Sequence, residues 1–119
     1  MAREKAEILT MMFIDIVGYT KTTSELKRDT FHQLHDVFDS ISLSVFKTFS
    51  GRVIKKVGDA YLATFKSATD AVLCGIELQK QFKSYNKEYK PVKKINIRVA
   101  VHTGEVVARG KDIFGDAVN

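Results

Sequence analysis

Residues 8–16 read ILTMMFIDI. A run that is apolar on both faces belongs to a strand with protein above and below it, at the centre of a sheet. Asp15 interrupts that run one residue before its end. An ionised carboxylate beside so much apolar surface is costly unless it is paired or binds a cation. The strand therefore sets both the centre of the fold and the first candidate site residue. Val17, Gly18, Tyr19 and Thr20 follow as a turn, with Gly18 as the permissive position.

The rest of the chain supplies what such a strand needs. Asp29 or Thr30 can cap a helix beginning near Phe31, in which Phe31, Leu34, Phe38, Ile41 and Val45 recur at helical spacing up to Gly51. Arg52–Val57 and Ala60–Phe65 are β-prone runs separated by Gly58-Asp59, a hairpin signal. Ser67 and Asp70 frame a capping box. The helix it opens has Val72, Ile76, Gln79 and Phe82 near one edge, with Ala71, Gly75, Leu78 and Tyr85 beside them. Asn86–Lys94 reads as a loop and Ile95–Val101 as a strand, and Gly104 reads as a turn into a last strand over Glu105–Ala108. The order strand, helix, strand, strand, helix, strand, strand predicts an α+β, ferredoxin-like sandwich with helices on one face of a mainly antiparallel sheet.

Bulk properties exclude several classes. The chain has 119 residues, 45% of them hydrophobic and 28% charged, as expected for one globular domain. Its apolar runs are strand-length, so no membrane segment is expected, and the N-terminus does not read as a signal peptide. Cys74 is the only cysteine and sits in a helical pattern, which fits a buried thiol in a reducing, cytoplasmic setting. The net charge of +5 gathers around Pro91, at Lys83, Lys87, Lys90, Lys93 and Lys94. Tyr85 and Tyr89 are interleaved there, but no nucleic-acid-binding signature accompanies them, so a solvated helix end is expected and no nucleic-acid partner.

Asp59, in the hairpin turn, is the second notable carboxylate. If the first strand lies beside this hairpin, Asp15 and Asp59 converge at one sheet edge, where hard oxygen ligands suit Mg²⁺ or Mn²⁺ with a nucleotide phosphate. Taken singly, Asp59 also reads as an ordinary turn residue and Asp15 as a carboxylate held by backbone N–H groups. His32 and His35 share a helix face without a third ligand, which favours a surface or amphipathic-face role, and His102 is assigned packing or turn hydrogen bonding.

Phe13-Ile14-Asp15-Ile16-Val17-Gly18-Tyr19-Thr20 and Lys55-Lys56-Val57-Gly58-Asp59-Ala60-Tyr61 are similar to the first and second metal motifs of the class III nucleotide cyclase catalytic domain. Asn96–Gly104 and Asp112–Asn119 resemble the next two blocks of that domain, in family order and at family-like spacing. The resemblance implies residues 1–119 as the N-terminal two-thirds of such a domain. The family places an arginine four residues beyond the position of Asn119, with further strands and a phosphate-contacting lysine later still.

The resemblance also implies roles. Asp15, Asp59 and the Ile16 carbonyl would hold two divalent cations, Mg²⁺ or Mn²⁺. Val17, Gly18, Tyr19, Thr20 and Arg98 would bind the triphosphate, and Asn119 would orient the ribose as a catalytic residue. Lys55 and Asp112 match the purine-selecting pair. Asp112 can accept from the adenine N6 amine and Lys55 can donate to N1, whereas guanine reverses that pattern. The expectation is an adenylate cyclase that turns ATP into cyclic AMP and pyrophosphate as a homodimer. Asp15, Asp59 and Arg98 would come from one protomer of each site, and Lys55, Asp112 and Asn119 from the other. The alternatives are a non-catalytic nucleotide-binding or regulatory module, a guanylate cyclase, and a different ferredoxin-like enzyme with paired carboxylates, such as a polymerase palm or a diguanylate cyclase. Read without the family, Lys55 and Arg98 are exposed strand residues and Asp112 a loop acid.

Overall fold

The central strand, β1 (Lys5–Ile16), takes partners on both edges. A computed structural model describes residues 5–19, 26–115 and 118. The elements that follow are α1 (Arg28–Thr48), β2 (Arg52–Val57), β3 (Ala60–Phe65), α2 (Ala68–Tyr89), β4 (Ile97–Arg109) and β5 (Asp112–Phe114). The five strands run in the order β2-β3-β1-β4-β5, every neighbouring pair antiparallel. This is the α+β sheet with two helices that the sequence predicts.

β1 contributes to a core on each face, although Ile8 and Phe13 are exposed. Met12, Ile14 and Ile16 join Leu34, Phe38 and Phe46 of α1 and Ala71, Cys74, Leu78 and Phe82 of α2 in the main core. On the opposite face Leu9 and Met11 pack with Leu62, Val106 and Ile113 in a smaller cluster. That second cluster draws β5 back across the open face. Although β2 and β5 are the outer strands of the sheet, Lys55 and Asp112 come within 3.2 Å. Phe38 is the centre of the main core. It is fully buried, and its ring lies 5.6 Å from that of Tyr61 and 5.9 Å from that of Phe82. Phe38→Ala is expected to lower unfolding stability by about 3–5 kcal/mol, measured by denaturant titration.

Four boundaries differ from the sequence reading. α1 begins at Arg28, three residues earlier than expected, with Lys27 at the N-cap and no side-chain cap; Asp29 instead lies in the first turn, where the helix dipole favours an acid. Gly51 serves packing more than helix termination, since a Cβ there would sit 2.7 Å from the Phe65 ring. α2 runs through the expected loop to Tyr89 and ends at Lys90 in the left-handed conformation. Its last turn is stapled by Asn86, whose side chain donates to Ile95 O and accepts from Ile95 N, both at 2.8 Å. β4 passes straight through Gly104, which pairs with Leu9, so the chain turns instead at Gly110 and β5 is residues 112–114. His102 accordingly lies within the strand at an exposed position, not in a turn.

The capping box at Ser67 holds, with Asp70 N donating to Ser67 Oγ at 3.2 Å. Val72 and Ile76 are exposed, because the buried face of α2 follows Ala71, Cys74, Gly75, Leu78 and Phe82. Cys74 is fully buried, and desolvation pushes its thiol up to about 12. Among the described residues no helix is long and apolar enough to cross a membrane.

Candidate active site

Asp15 stands opposite Ala60 of β3 and Arg98 of β4. Because alternate residues of a strand face opposite ways, it projects away from the helices that cover Ile14 and Ile16. Arg98 grips it with a two-pronged hydrogen bond, Nε to Oδ1 at 3.2 Å and Nη2 to Oδ2 at 3.1 Å. These bonds hold the guanidinium above its usual pKa, with the Asp15 charge adding to them. Asp59 occupies the β2–β3 turn beside Gly58, whose φ of +60° a side chain would strain. Its Oδ2 accepts from Ile16 N at 3.4 Å, so the two carboxylates converge on the end of β1 as expected.

The residues present fit a hard divalent cation. Asp15 and Asp59 offer carboxylate oxygens near the end of β1, and a cationic guanidinium already lies against Asp15. Among the described residues no three His, Cys, Asp or Glu side chains gather in one metal-binding group. Backbone, phosphate and water oxygens would therefore have to complete the coordination, as is usual for Mg²⁺ with nucleotides.

The turn after β1 is fastened at both ends. Val17 N donates to Asn96 O at 2.8 Å, Gly18 has φ of +71°, and Tyr19 Oη lies 2.7 Å from His35 Nε2. Burial raises the Tyr19 phenol pKa, with a further push from the charge of Asp59. Thr20 and Asn119 lie outside the described residues. On the open face Lys55 Nζ donates to Asp112 Oδ2 at 3.2 Å. The Asp112 carboxyl is held below its usual range, first by the Ile113 N–H and then by Lys55.

Four residues beside the site have contacts that the sequence reading does not announce. Lys56 Nζ and Tyr61 Oη both donate to Asp39 of α1, each at 2.7 Å. Burial works to raise the Asp39 carboxyl, but those bonds outweigh it and hold it below the usual carboxylate range. His35, assigned only a surface or amphipathic-face role, bonds Tyr19. The signal was the four-residue spacing of Phe31, His35 and Asp39, which places them on one stripe of α1.

All residues 1–119 match the family described as the adenylate and guanylate cyclase catalytic domain, and the chain belongs to that family. Among curated proteins it is 34% identical to the serine/threonine-protein kinase pkn2 of Myxococcus xanthus, over 94% of this chain and 14% of that protein. It is 30% identical to a Rhizobium meliloti (strain 1021) protein provisionally named adenylate cyclase 3, over 100% of this chain and 21% of that one. The chain thus spans a small part of these relatives, and others among them are named as receptor-type guanylate cyclases. The adenylyl cyclase CyaB from P. aeruginosa shares its fold, with a TM-score of 0.85 at 23% identity over 98% of this chain and 70% of that one.

Proposed function

We propose that this chain carries the ATP-recognising part of an adenylate cyclase, which converts ATP to 3′,5′-cyclic AMP and pyrophosphate. The observation that carries the reading is the Lys55–Asp112 pair, one donor and one acceptor 3.2 Å apart on the open face. Parted by a base, they present a donor for adenine N1 and an acceptor for the N6 amine. Guanine would meet both with the wrong polarity, and mispaired buried polar groups are penalised heavily.

Asp15, Asp59 and the Ile16 carbonyl would hold two divalent cations, Mg²⁺ or Mn²⁺. When bound, these supply a lowered pKa at the ribose 3′-hydroxyl and charge neutralisation at the triphosphate. Arg98 exchanges Asp15 for the triphosphate as substrate arrives. Its side chain is 70% exposed, so solvent screens the pair and stands ready to take Arg98's place on Asp15 during the exchange. Backbone N–H groups of Val17, Gly18, Tyr19 and Thr20 face the phosphate oxygens, and Asn119 orients the ribose. The O3′–Pα bond forms, the α–β phosphoanhydride bond breaks, and the hydroxyl proton passes to solvent.

The reading includes a cytoplasmic homodimer in which Asp15, Asp59 and Arg98 of one protomer meet Lys55, Asp112 and Asn119 of the other. Purified full-length protein given Mn²⁺ and ATP should release cyclic AMP and pyrophosphate in equal amounts. A folded dimer that binds ATP without forming either product would refute it.

A further inference from the structure

Both loops of the candidate site are fastened to one stripe of α1. Phe31, His35 and Asp39 recur every four residues and therefore stack along one side of the helix. His35 Nε2 sits 2.7 Å from Tyr19 Oη, with the two rings edge-on at 5.4 Å and the Phe31 ring 4.6 Å behind. Tyr19 ends the described part of the turn that leaves Asp15 and Ile16. One helical turn further along, Asp39 accepts from Lys56 and Tyr61. Those two residues face each other across the hairpin, one pair from the end that carries Asp59.

The direct link between the two loops is weak by comparison. The β1–β3 ladder reaches Asp15 and Ala60 and aligns the strand ends. Beyond it the one described hydrogen bond between the end of β1 and the hairpin turn is from Ile16 N to Asp59 at 3.4 Å, beyond the usual N–H···O range, whereas the three bonds to α1 are all 2.7 Å. The Tyr19–His35 and Tyr61–Asp39 contacts are half-buried and the Lys56–Asp39 contact is exposed; what sets all three apart from the Ile16–Asp59 bond is their shorter length.

We propose that His35 and Asp39 are positioning residues, which hold the residue 17–19 turn and the Asp59 hairpin in mutual register for a cation-bound polyphosphate. The ligand class rests on the cyclase reading; the fastening does not. Neither side chain need touch substrate. Each acts through the loop it holds, and displacing a bound group by about 1 Å can lower a rate roughly a hundredfold.

The test uses full-length protein, Mn²⁺ and α,β-methylene-ATP, an analogue that cannot release pyrophosphate, with binding measured by calorimetry. His35→Leu and Tyr19→Phe should each weaken binding at least tenfold, and the double variant should be no worse than either alone. His35→Gln, which keeps an acceptor for the phenol, should restore most of the affinity. Asp39→Leu should weaken binding similarly and Asp39→Asn should recover it in part. With ATP, the Leu variants should raise KM more than they lower kcat.

Binding within twofold of the parent in His35→Leu and Tyr19→Phe would overturn the proposal. So would a loss that tracks the thermal midpoint and is not rescued by Gln. Asp59→Ala separates the two readings. If it abolishes binding while the α1 variants leave it intact, only the positioning role fails. If it too leaves binding intact, the reading of the site itself fails.

Discussion

Asp59→Ala in the full-length protein is expected to lower cyclic AMP formation on the order of a thousandfold or more while leaving the fold intact. Losing a preorganised charge at a phosphoryl-transfer site typically has an effect of that size. Structurally the change is mild. Asp59 is half-buried in a two-residue turn, and its one described bond, to Ile16 N, is long. Steady-state rates with Mn²⁺ and ATP, together with thermal unfolding of the variant, check both halves of the expectation. If the site is shared between protomers, mixing Asp59→Ala with Asp112→Ala should recover activity. Random pairing makes half the dimers mixed, each with one intact site of two, hence roughly a quarter of the parental rate in a symmetric dimer. No recovery on mixing would place all the site residues within one protomer.

The second large effect concerns the base. Lys55→Glu combined with Asp112→Cys should shift the ratio of kcat/KM for ATP over GTP by roughly a hundredfold or more toward GTP. The introduced carboxylate would accept from guanine N1–H and N2–H, and the introduced thiol is a weak donor for O6. The parental pair is exposed by about two-fifths on each side chain, so removing it should leave stability almost unchanged. A double variant that loses ATP turnover without gaining GTP turnover would show that Lys55 and Asp112 matter for another reason. A ratio that does not move at all would remove them from base recognition.

Much of this candidate site is legible in the sequence, for reasons that differ by residue. Asp15 stands out because a carboxylate in an apolar strand needs a partner, and Asp59 because Gly-Asp between two β-prone runs marks a turn. Their convergence then follows from β1 pairing directly with β3. Lys55 and Asp112 were different. Nothing in their spacing joins two outer strands of a sheet; only the family resemblance did, and the physical reason is the second apolar cluster that folds β5 over the open face.

The misreadings share a cause, which is that a long-range contact overrode a local signal. Gly104 looked like a turn, but pairing with Leu9 in the ladder kept it extended. The lysine-rich segment looked like loop until Asn86 clasped Ile95 and carried α2 on to Tyr89. His35 keeps the amphipathic-face position expected of it, and its bond to Tyr19 is not legible because Tyr19 lies in a different element.

The most direct measurement is kcat/KM for ATP and for GTP, side by side, with purified full-length protein and Mn²⁺. The account predicts cyclic AMP as the main product, with ATP preferred by roughly a hundredfold or more. Preferential formation of cyclic GMP would contradict the assignment of Lys55 and Asp112, and formation of neither product by a folded dimer would contradict the cyclase reading as a whole.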